Sequence, residues 1–499
     1  MKEGVAVAFQ VEVNAPNHLS DFALVADLAA AVQTLQLDAG PVLANLRERT
    51  LWMVNSTPQG GGVAEMLPTM ITLLRDLDCN VEWVVIESDE PRFFDLTKRI
   101  HNLVHGDGAP GFDRSDRELF ETVNRENAAF LRSKVRAGDI LIVHDPQPMP
   151  LAAMLKEEVD VFAIWRCHIG LDQETPATRS AWEFLEPYAG AYEHAIFSAP
   201  DYIPPSFTGR ATIIRPGIDP LSPKNRQLGL HKTAGVLANA GLAVAPGPLV
   251  TPPYQWQAER LSPDGRFVPA TERGDFGLFT RPIVTQISRW NRLKGFEPLL
   301  QAFAHYKAGL AEGRWSKDPV HRVRQELVRL VLAGPDPASI QDDPEGRGVL
   351  ESLRALYAGL PPAIQDDIAI IALPMQSPTE NALMVNAIQR ASSIVVQNSL
   401  REGFGLTIAE AMWKRVPILS NWQACGPRQQ VRDAVDGRMI DDPTAIETIA
   451  TVLDEMLADP ESRAAWGRNA RRHVHDSFLV FGQLSRWMQL FAQAQPHLP

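Results

Sequence analysis

The sequence predicts an α/β protein of two doubly wound, Rossmann-like domains facing a cleft. Three observations lead there. Short apolar runs recur, each followed by a loop and a stretch with helical spacing, which is the pattern of βαβ units and parallel sheets. The pattern restarts at Ile283. Between the two series lies a stretch rich in Pro and Gly, from Pro220 to Pro282, that reads as a hinge and an irregular insertion.

In the first series Leu51-Trp52-Met53-Val54 precedes a glycine loop and the helical stretch Ala64 to Leu77. Pro68 falls early in that stretch, where a helix tolerates it best. Val81 to Ile86 reads as a strand, as do Ile140 to Val143, Phe162 to Trp165 and Ala195 to Phe197. In the second series Ile283 to Ile287 is the first strand, followed by Leu330 to Ala333, Ile368 to Ile371 and Ile394 to Val396. A helix over Leu406 to Trp413 leads into the apolar run Val416 to Leu419. Helical patterns over Ala445 to Leu457 and Phe478 to Ala494 close the chain. The expected organisation is a first domain over 1–220, a hinge and insertion over 221–282, a second domain over 283–480 and a final helix over 481–499 that packs back on the first domain. In open α/β sheets ligands bind at the carboxyl ends of the strands, so motifs at those ends matter most.

Hydrophobic residues make up 45% of the 499 and charged residues 22%, near globular averages, so a large core can be buried without staples or metals. The net charge of −12 argues against nucleic-acid and anionic-membrane partners, which need a basic face. Cys79, Cys167 and Cys425 are sparse, odd in number and far apart, which fits a reducing compartment rather than a disulfide framework. The N-terminus lacks a charged-then-apolar leader pattern, and Ala234 to Val250 carries Asn239, glycines and prolines that make it a poor membrane span. A cytoplasmic protein is expected. No cysteine spacing resembles a zinc site, and no Asp-x-Asp pair at a strand end is set to hold a diphosphate-bound cation, so no metal is expected.

Three segments carry chemistry. Pro58-Gln59-Gly60-Gly61-Gly62-Val63-Ala64-Glu65 follows a strand and opens a helix. Its glycines let backbone approach a ligand, and the helix N-terminus offers unpaired N–H groups to an anion. A plain tight turn would use the same residues, and no GxGxxG dinucleotide fingerprint is present. Gln286-Ile287-Ser288-Arg289-Trp290-Asn291-Arg292-Leu293-Lys294-Gly295 follows the first strand of the second series. Arg289 and Lys294 there suit a diphosphate, although solvated basic loops are common. Arg401-Glu402-Gly403-Phe404-Gly405-Leu406-Thr407-Ile408-Ala409-Glu410 is the most specific. Glu402 sits in a loop where two glycines flank Phe404 at a helix start, and Glu410 lies about one turn inside that helix, so the two carboxylates are separated along a ligand.

The third segment resembles the signature of retaining glycosyltransferases of the two-domain GT-B type. Gly60 to Leu67, His144-Asp145-Pro146-Gln147-Pro148, Trp165-Arg166-Cys167-His168-Ile169, Ile218 to Asn225 and Asn386 to Arg390 resemble the trehalose synthase and trehalose phosphorylase branch in particular. The resemblance implies an oxocarbenium-like transition state with retention at the anomeric carbon. It implies that Arg289 and Lys294 stabilise the leaving diphosphate, that Glu402 holds donor-sugar hydroxyls and that His168 lies near the anomeric centre. The donor site would comprise Gly61, Gly62, Arg289, Lys294, Glu402, Gly403, Phe404, Gly405, Leu406 and Glu410, with Glu410 on the ribose. Asp145, Gln147 and Arg166 would line the acceptor pocket, or fix their loop by hydrogen bonds.

The implied substrates are UDP-, ADP- or GDP-glucose and a small sugar or polyol, with no cofactor and a homodimeric assembly. Trehalose is one expected product. Two alternatives stand beside this: a phosphorylase using phosphate and glucose 1-phosphate, and a silent sugar-nucleotide-binding protein. The intact set Arg289, Lys294, Glu402 and Glu410 argues against the silent protein. Three departures from the branch are visible, one of them an insertion from about Arg226 to Arg281. Cys425 and Pro427 fall in the stretch where relatives carry a Gly-Gly loop, and Asp172 stands two positions beyond the usual acidic residue.

Overall fold

The computed structural model describes residues 8–58, 62–245, 247, 251–315, 318–336 and 344–494. The chain divides into two compact units, Met1–Asp219 with Ser477–Pro499, and Pro220–Asp476.

Among the described residues, the first unit is built on a seven-stranded sheet of order β1-β3-β2-β4-β5-β6-β7. Its strands are β1 (Phe9–Gln10), β2 (Thr50–Asn55), β3 (Asn80–Val85), β4 (Ile140–His144), β5 (Phe162–Cys167), β6 (His194–Phe197) and β7 (Ala211–Ile213). All neighbours run parallel except β1, an antiparallel edge on β3. Sheets covered by helices on both faces bury both sides of each strand, and every residue of β4 is buried. The sheet reverses its winding between β2 and β4, which makes the loops after those strands the switch point. The helix Gly62–Asp76 buries Leu67, Met70, Ile71 and Leu74, the spacing of one helical face.

The helix Val480–Phe491 also belongs to the first unit. Phe481 meets the ring of Phe22 edge-on at 5.1 Å. Phe481, Leu484, Trp487 and Met488 are buried, each contributing roughly 1.5–3 kcal/mol of transfer free energy. Gly217 lets the segment before that helix pass close, because a Cβ there would stand 2.7 Å from the Leu479 backbone.

The second unit holds an eight-stranded sheet of order β15-β14-β13-β10-β11-β12-β8-β9 among the described residues. These are β8 (Glu259–Leu261), β9 (Phe267–Pro269), β10 (Ile283–Ile287), β11 (Arg329–Pro335), β12 (Ile368–Leu373), β13 (Ile394–Val396), β14 (Ile418–Asn421) and β15 (Gly437–Ile440). From β12 through β10 to β15 the strands are parallel, with the winding reversed between β10 and β13. Both sheets are thus doubly wound, and the α/β class read from the sequence is the one observed.

The structure revises the start of the second sheet. Residues 221–282, set apart as hinge and insertion, add β8 and β9 antiparallel beyond β12. They also supply the helix Leu230–Asn239, whose Val236 and Leu237 join the core beneath β10 to β12. Among the described residues no helix is long and apolar enough to cross a membrane.

Candidate active site

The second unit's switch point gathers the residues of the two strongest motifs. After β10 the chain makes a short 3-10 turn, Arg292–Lys294, and then turns into the helix Phe296–Ala311. Gly295 joins them at φ 63°, and a Cβ there would lie 2.1 Å from the carbonyl oxygen of Asn398. Only glycine allows that approach. Leu400 N donates to Leu293 O at 2.8 Å, and Gln286 Nε2 donates to Lys294 O at 2.7 Å. The two loops are therefore one hydrogen-bonded platform.

On it, Lys294 Nζ lies 2.6 Å from Glu402 Oε2, with the side chains 17% and 13% exposed. The pair is accessible from solvent but poorly screened. Gln397 Nε2 and Ser399 Oγ donate to the same oxygen at 3.1 and 3.2 Å. Gly405, at φ 83°, starts the helix Leu406–Trp413 without a side-chain cap, so the first N–H groups of that helix lack a capping side chain. Phe404 is buried under the loop. Arg289 is exposed and makes no hydrogen bond or ion pair among the described residues. Gly61 lies outside the described residues, and Gly62 opens its helix in the first unit.

Glu410 is brought to a different environment from Glu402. It is only 6% exposed, and Lys224 Nζ stands 3.8 Å from its Oε1. Beside it Lys414 is buried and donates to Asn225 Oδ1 and to the Glu410 carbonyl. Burial lowers the Lys414 ammonium to about 7, with Glu410 opposing and Arg390 and Lys224 adding to the shift. The Cys425–Pro427 departure forms the first turn of the helix Cys425–Gln430. An N–H at Pro427 would have been among the unpaired first-turn donors in any case. Gly426 N donates to Glu402 O at 3.0 Å and so anchors that loop.

In the first unit β4 and β5 end side by side and carry the remaining motif residues. Asp145, at φ 64°, is knitted into both strand ends. Its N donates to Arg166 O, its O accepts from Trp165 Nε1, and its Oδ1 accepts from His168 N at 2.8 Å. Burial raises its carboxyl to about 6, against the lowering effects of the His168 N–H and Arg166. Arg166 is fully buried and donates to Ser198 Oγ, while its Nε and Nη1 have no partner among the described residues. The Gln147 side-chain oxygen is likewise buried and unpartnered there.

His168 Nε2 lies 3.2 Å from His144 Nδ1, with the rings nearly parallel. Burial holds the His168 imidazole well below its ordinary range, with Arg166 and His144 adding to the effect. The same causes, burial and then Arg166, bring His144 down to about 3. Both rings are neutral near neutral pH. His144, Arg166 and His168 share a small pocket with Leu67, Gln483 and Trp487. No group of three or more metal-ligating side chains occurs among the described residues.

His144, read only as part of a family-like stretch, and Gln397, Ser399 and Lys414 were not assigned to the site from the sequence. Gln397 and Ser399 carried a usable signal, since polar residues directly after a buried strand, five and three positions before Glu402, can fold onto it. The His144–His168 contact had none in one dimension, because it depends on β4 and β5 being neighbours.

Two doubly wound units, one with a carboxylate before a Gly-Phe-Gly loop and a lysine at its switch point, define a glycosyltransferase of the GT-B type. Comparison with known proteins agrees. Residues 53–204 match the family model "Trehalose synthase, N-terminal domain", and residues 375–473 match "Glycosyl transferases group 1". The trehalose synthase of Pyrococcus horikoshii is 30% identical, with 89% of this chain and 90% of that protein aligned. That of Rubrobacter xylanophilus is 31% identical over 90% and 91%. The trehalose phosphorylase of Pleurotus pulmonarius is 23% identical, and this chain spans 57% of its length. Among solved structures, the α,α-trehalose 6-phosphate synthase of Burkholderia multivorans superposes with a TM-score of 0.62 at 17% identity, covering 89% of this chain and 96% of that one. At such identity the likeness speaks for the fold alone. The chain belongs to the trehalose synthase family.

Proposed function

We propose that the protein is a retaining glucosyltransferase that moves glucose from a nucleoside diphosphate-glucose to a small sugar or polyol, with glucose as acceptor and trehalose as product. The observation that carries this is the Lys294–Glu402 pair at the switch point of the second sheet. A donor with a diphosphate and a sugar offers both groups better partners. The ammonium moves to the phosphate oxygens, and the carboxylate accepts hydrogen bonds from sugar hydroxyls. The start of the helix Leu406–Trp413 adds partial positive charge at the phosphate.

As the glycosidic bond breaks, negative charge grows on the leaving diphosphate and positive charge on the sugar ring. Lys294 and the helix N-terminus stabilise the first, and Glu402 orients the ring that carries the second. Arg289, exposed at the β10 loop, supplies a further cation for the diphosphate. His168 serves as a neutral hydrogen-bonding group near the anomeric centre, and its low imidazole pKa supports that role. Arg166, whose Nε and Nη1 have no partner among the described residues, together with Asp145 and Gln147, serves the acceptor. UDP-glucose enters as one candidate donor because the related E. coli trehalose-6-phosphate structure is bound with UDP-2-fluoro glucose.

A second reading is favoured by one observation. Glu410, the ribose partner of the first reading, is buried against Lys224. A phosphorylase working with glucose 1-phosphate needs no ribose contact. Nucleotide release from ADP-, GDP- and UDP-glucose with glucose as acceptor, run beside glucose 1-phosphate as sole donor to the same acceptor, separates the two. Stoichiometric nucleotide release supports the transferase. Turnover with glucose 1-phosphate alone replaces it with the phosphorylase, and inactivity with every donor refutes both.

A further inference from the structure

Glu402 Oε2 receives three donors at once: Lys294 Nζ at 2.6 Å, Gln397 Nε2 at 3.1 Å and Ser399 Oγ at 3.2 Å. The three differ in how firmly they are held. Gln397 is 1% exposed and Ser399 is fully buried. Gln397 N donates to Leu419 O, its carbonyl accepts from Ser420 Oγ at 2.6 Å, and Asn421 Nδ2 donates to Ser399 O at 2.9 Å. Both residues are thus fastened to β14. Gln397 Nε2 also donates to Ser399 Oγ at 2.7 Å, so the serine hydroxyl hydrogen is directed at the carboxylate. A carboxylate only accepts, which fixes the amide with its NH2 toward Glu402. Lys294, by contrast, stands on a short turn with a flexible stem and is the most exposed of the three.

One ammonium cannot neutralise a leaving diphosphate while it is spent on Glu402. A carboxylate released by its charged donor stays aimed at the sugar only if other donors hold it. We infer that Gln397 and Ser399 are positioning residues that grip Glu402 Oε2 and keep the carboxylate aimed at the donor sugar when Lys294 leaves it for the diphosphate. The inference rests on the donor-site reading above and adds to it a division of labour: fixed neutral donors hold the glutamate, and the mobile cation is released to the phosphate.

The test uses the full chain with Gln397→Met, which keeps volume and loses the donor, Ser399→Ala, and Ser399→Thr as the conservative partner. The donor is whichever of ADP-, GDP- or UDP-glucose supports turnover. Calorimetric affinities for that nucleotide-glucose and for the bare nucleoside diphosphate are measured with kcat and KM. We expect Gln397→Met and Ser399→Ala to lower kcat/KM roughly ten- to a hundredfold, the worth of a hydrogen bond to a charged group. Affinity for the nucleotide-glucose should fall toward that of the bare nucleotide, which itself changes little, and Ser399→Thr should recover most of the loss. Unchanged kcat/KM overturns the inference. So does a parallel loss of both affinities, which would mean general damage to the loop, or a threonine variant as impaired as the alanine one. If the unaltered protein turns over no nucleotide-glucose, the donor-site reading fails and takes the inference with it.

Discussion

Replacing Glu402 with glutamine removes one negative charge and keeps the side chain's shape. The carboxylate holds Lys294, Gln397 and Ser399 through one oxygen. The amide oxygen can still accept those bonds, but neutral acceptors are about half as strong as charged ones. With the pair at 17% and 13% exposure, solvent restores part of the loss at Lys294. The stability cost comes to about 1–2 kcal/mol, or a melting shift of about 2–8 °C for a unit of this size. Catalysis should suffer differently. Two sugar hydroxyls that lose a charged acceptor give up about 2–3 kcal/mol together, roughly 30- to 160-fold in kcat/KM. The assay is nucleotide release under steady-state conditions, with scanning fluorimetry on the same preparation. Unchanged kcat/KM beside the expected melting shift would place Glu402 outside the sugar site and refute the reasoning.

Lys294→Ala should lower kcat more than it weakens donor binding, because the ammonium is needed most when charge develops on the leaving group; steady-state kinetics showing a pure KM effect would contradict this. Gly295→Ala should cost more than about 2 kcal/mol and disable the site, since its Cβ would meet the Asn398 carbonyl and force the two loops apart; urea unfolding and turnover both read it. The first unit should lose stability in acid. His144 takes a proton near 6.5 when unfolded and only at about 3 when folded, so between those values the unfolded chain binds more protons and stability falls as pH falls, by up to about 1.4 kcal/mol per pH unit. Asp145 works the other way: its carboxyl is raised to about 6, so its burden is present above that pH and is relieved as pH falls toward the ordinary carboxylate range. His168, held well below its ordinary range by burial, acts in the same direction as His144, so the two imidazoles together outweigh Asp145. Urea midpoints of the unaltered protein and His144→Gln between about pH 7 and 4 should show the shallower slope in the variant, and equal slopes would count against the buried neutral pair.

Strands buried on both faces were plain in the sequence. Ile283–Ile287 is β10 residue for residue, and Leu406–Trp413 is the helix that follows Glu402. Apolar runs between turn residues leave little choice there. Boundaries moved where a local group intervened: β14 begins at Ile418 rather than Val416, because Pro417 has no N–H to give the ladder. Antiparallel β8 and β9 were hidden, since three-residue strands carry too little periodicity to stand out among prolines and glycines. The early helices Leu19–Ala23 and Ala26–Leu46 had no catalytic motif to draw attention, and the second contains Pro41. Within the site, Glu402 and Lys294 were legible because spacing in one motif and position after a strand suffice to mark them. Their contact was not, because it requires β10 and β13 to be adjacent across a gap of 108 residues between the two side chains. Asp145 shows the opposite case. Its hydrogen bonds to β5 and to His168 belong to the loop's own construction, the alternative that the sequence had left open.

The most direct test is to supply each nucleotide-glucose isotopically labelled at the anomeric carbon, with glucose as acceptor, and to follow the products by NMR. We expect the label to appear in a non-reducing disaccharide with the anomeric configuration of the donor, matched by release of one nucleoside diphosphate per glucoside. An inverted configuration, or label that reaches a disaccharide only when glucose 1-phosphate is the donor, would contradict retaining transfer from a nucleotide sugar.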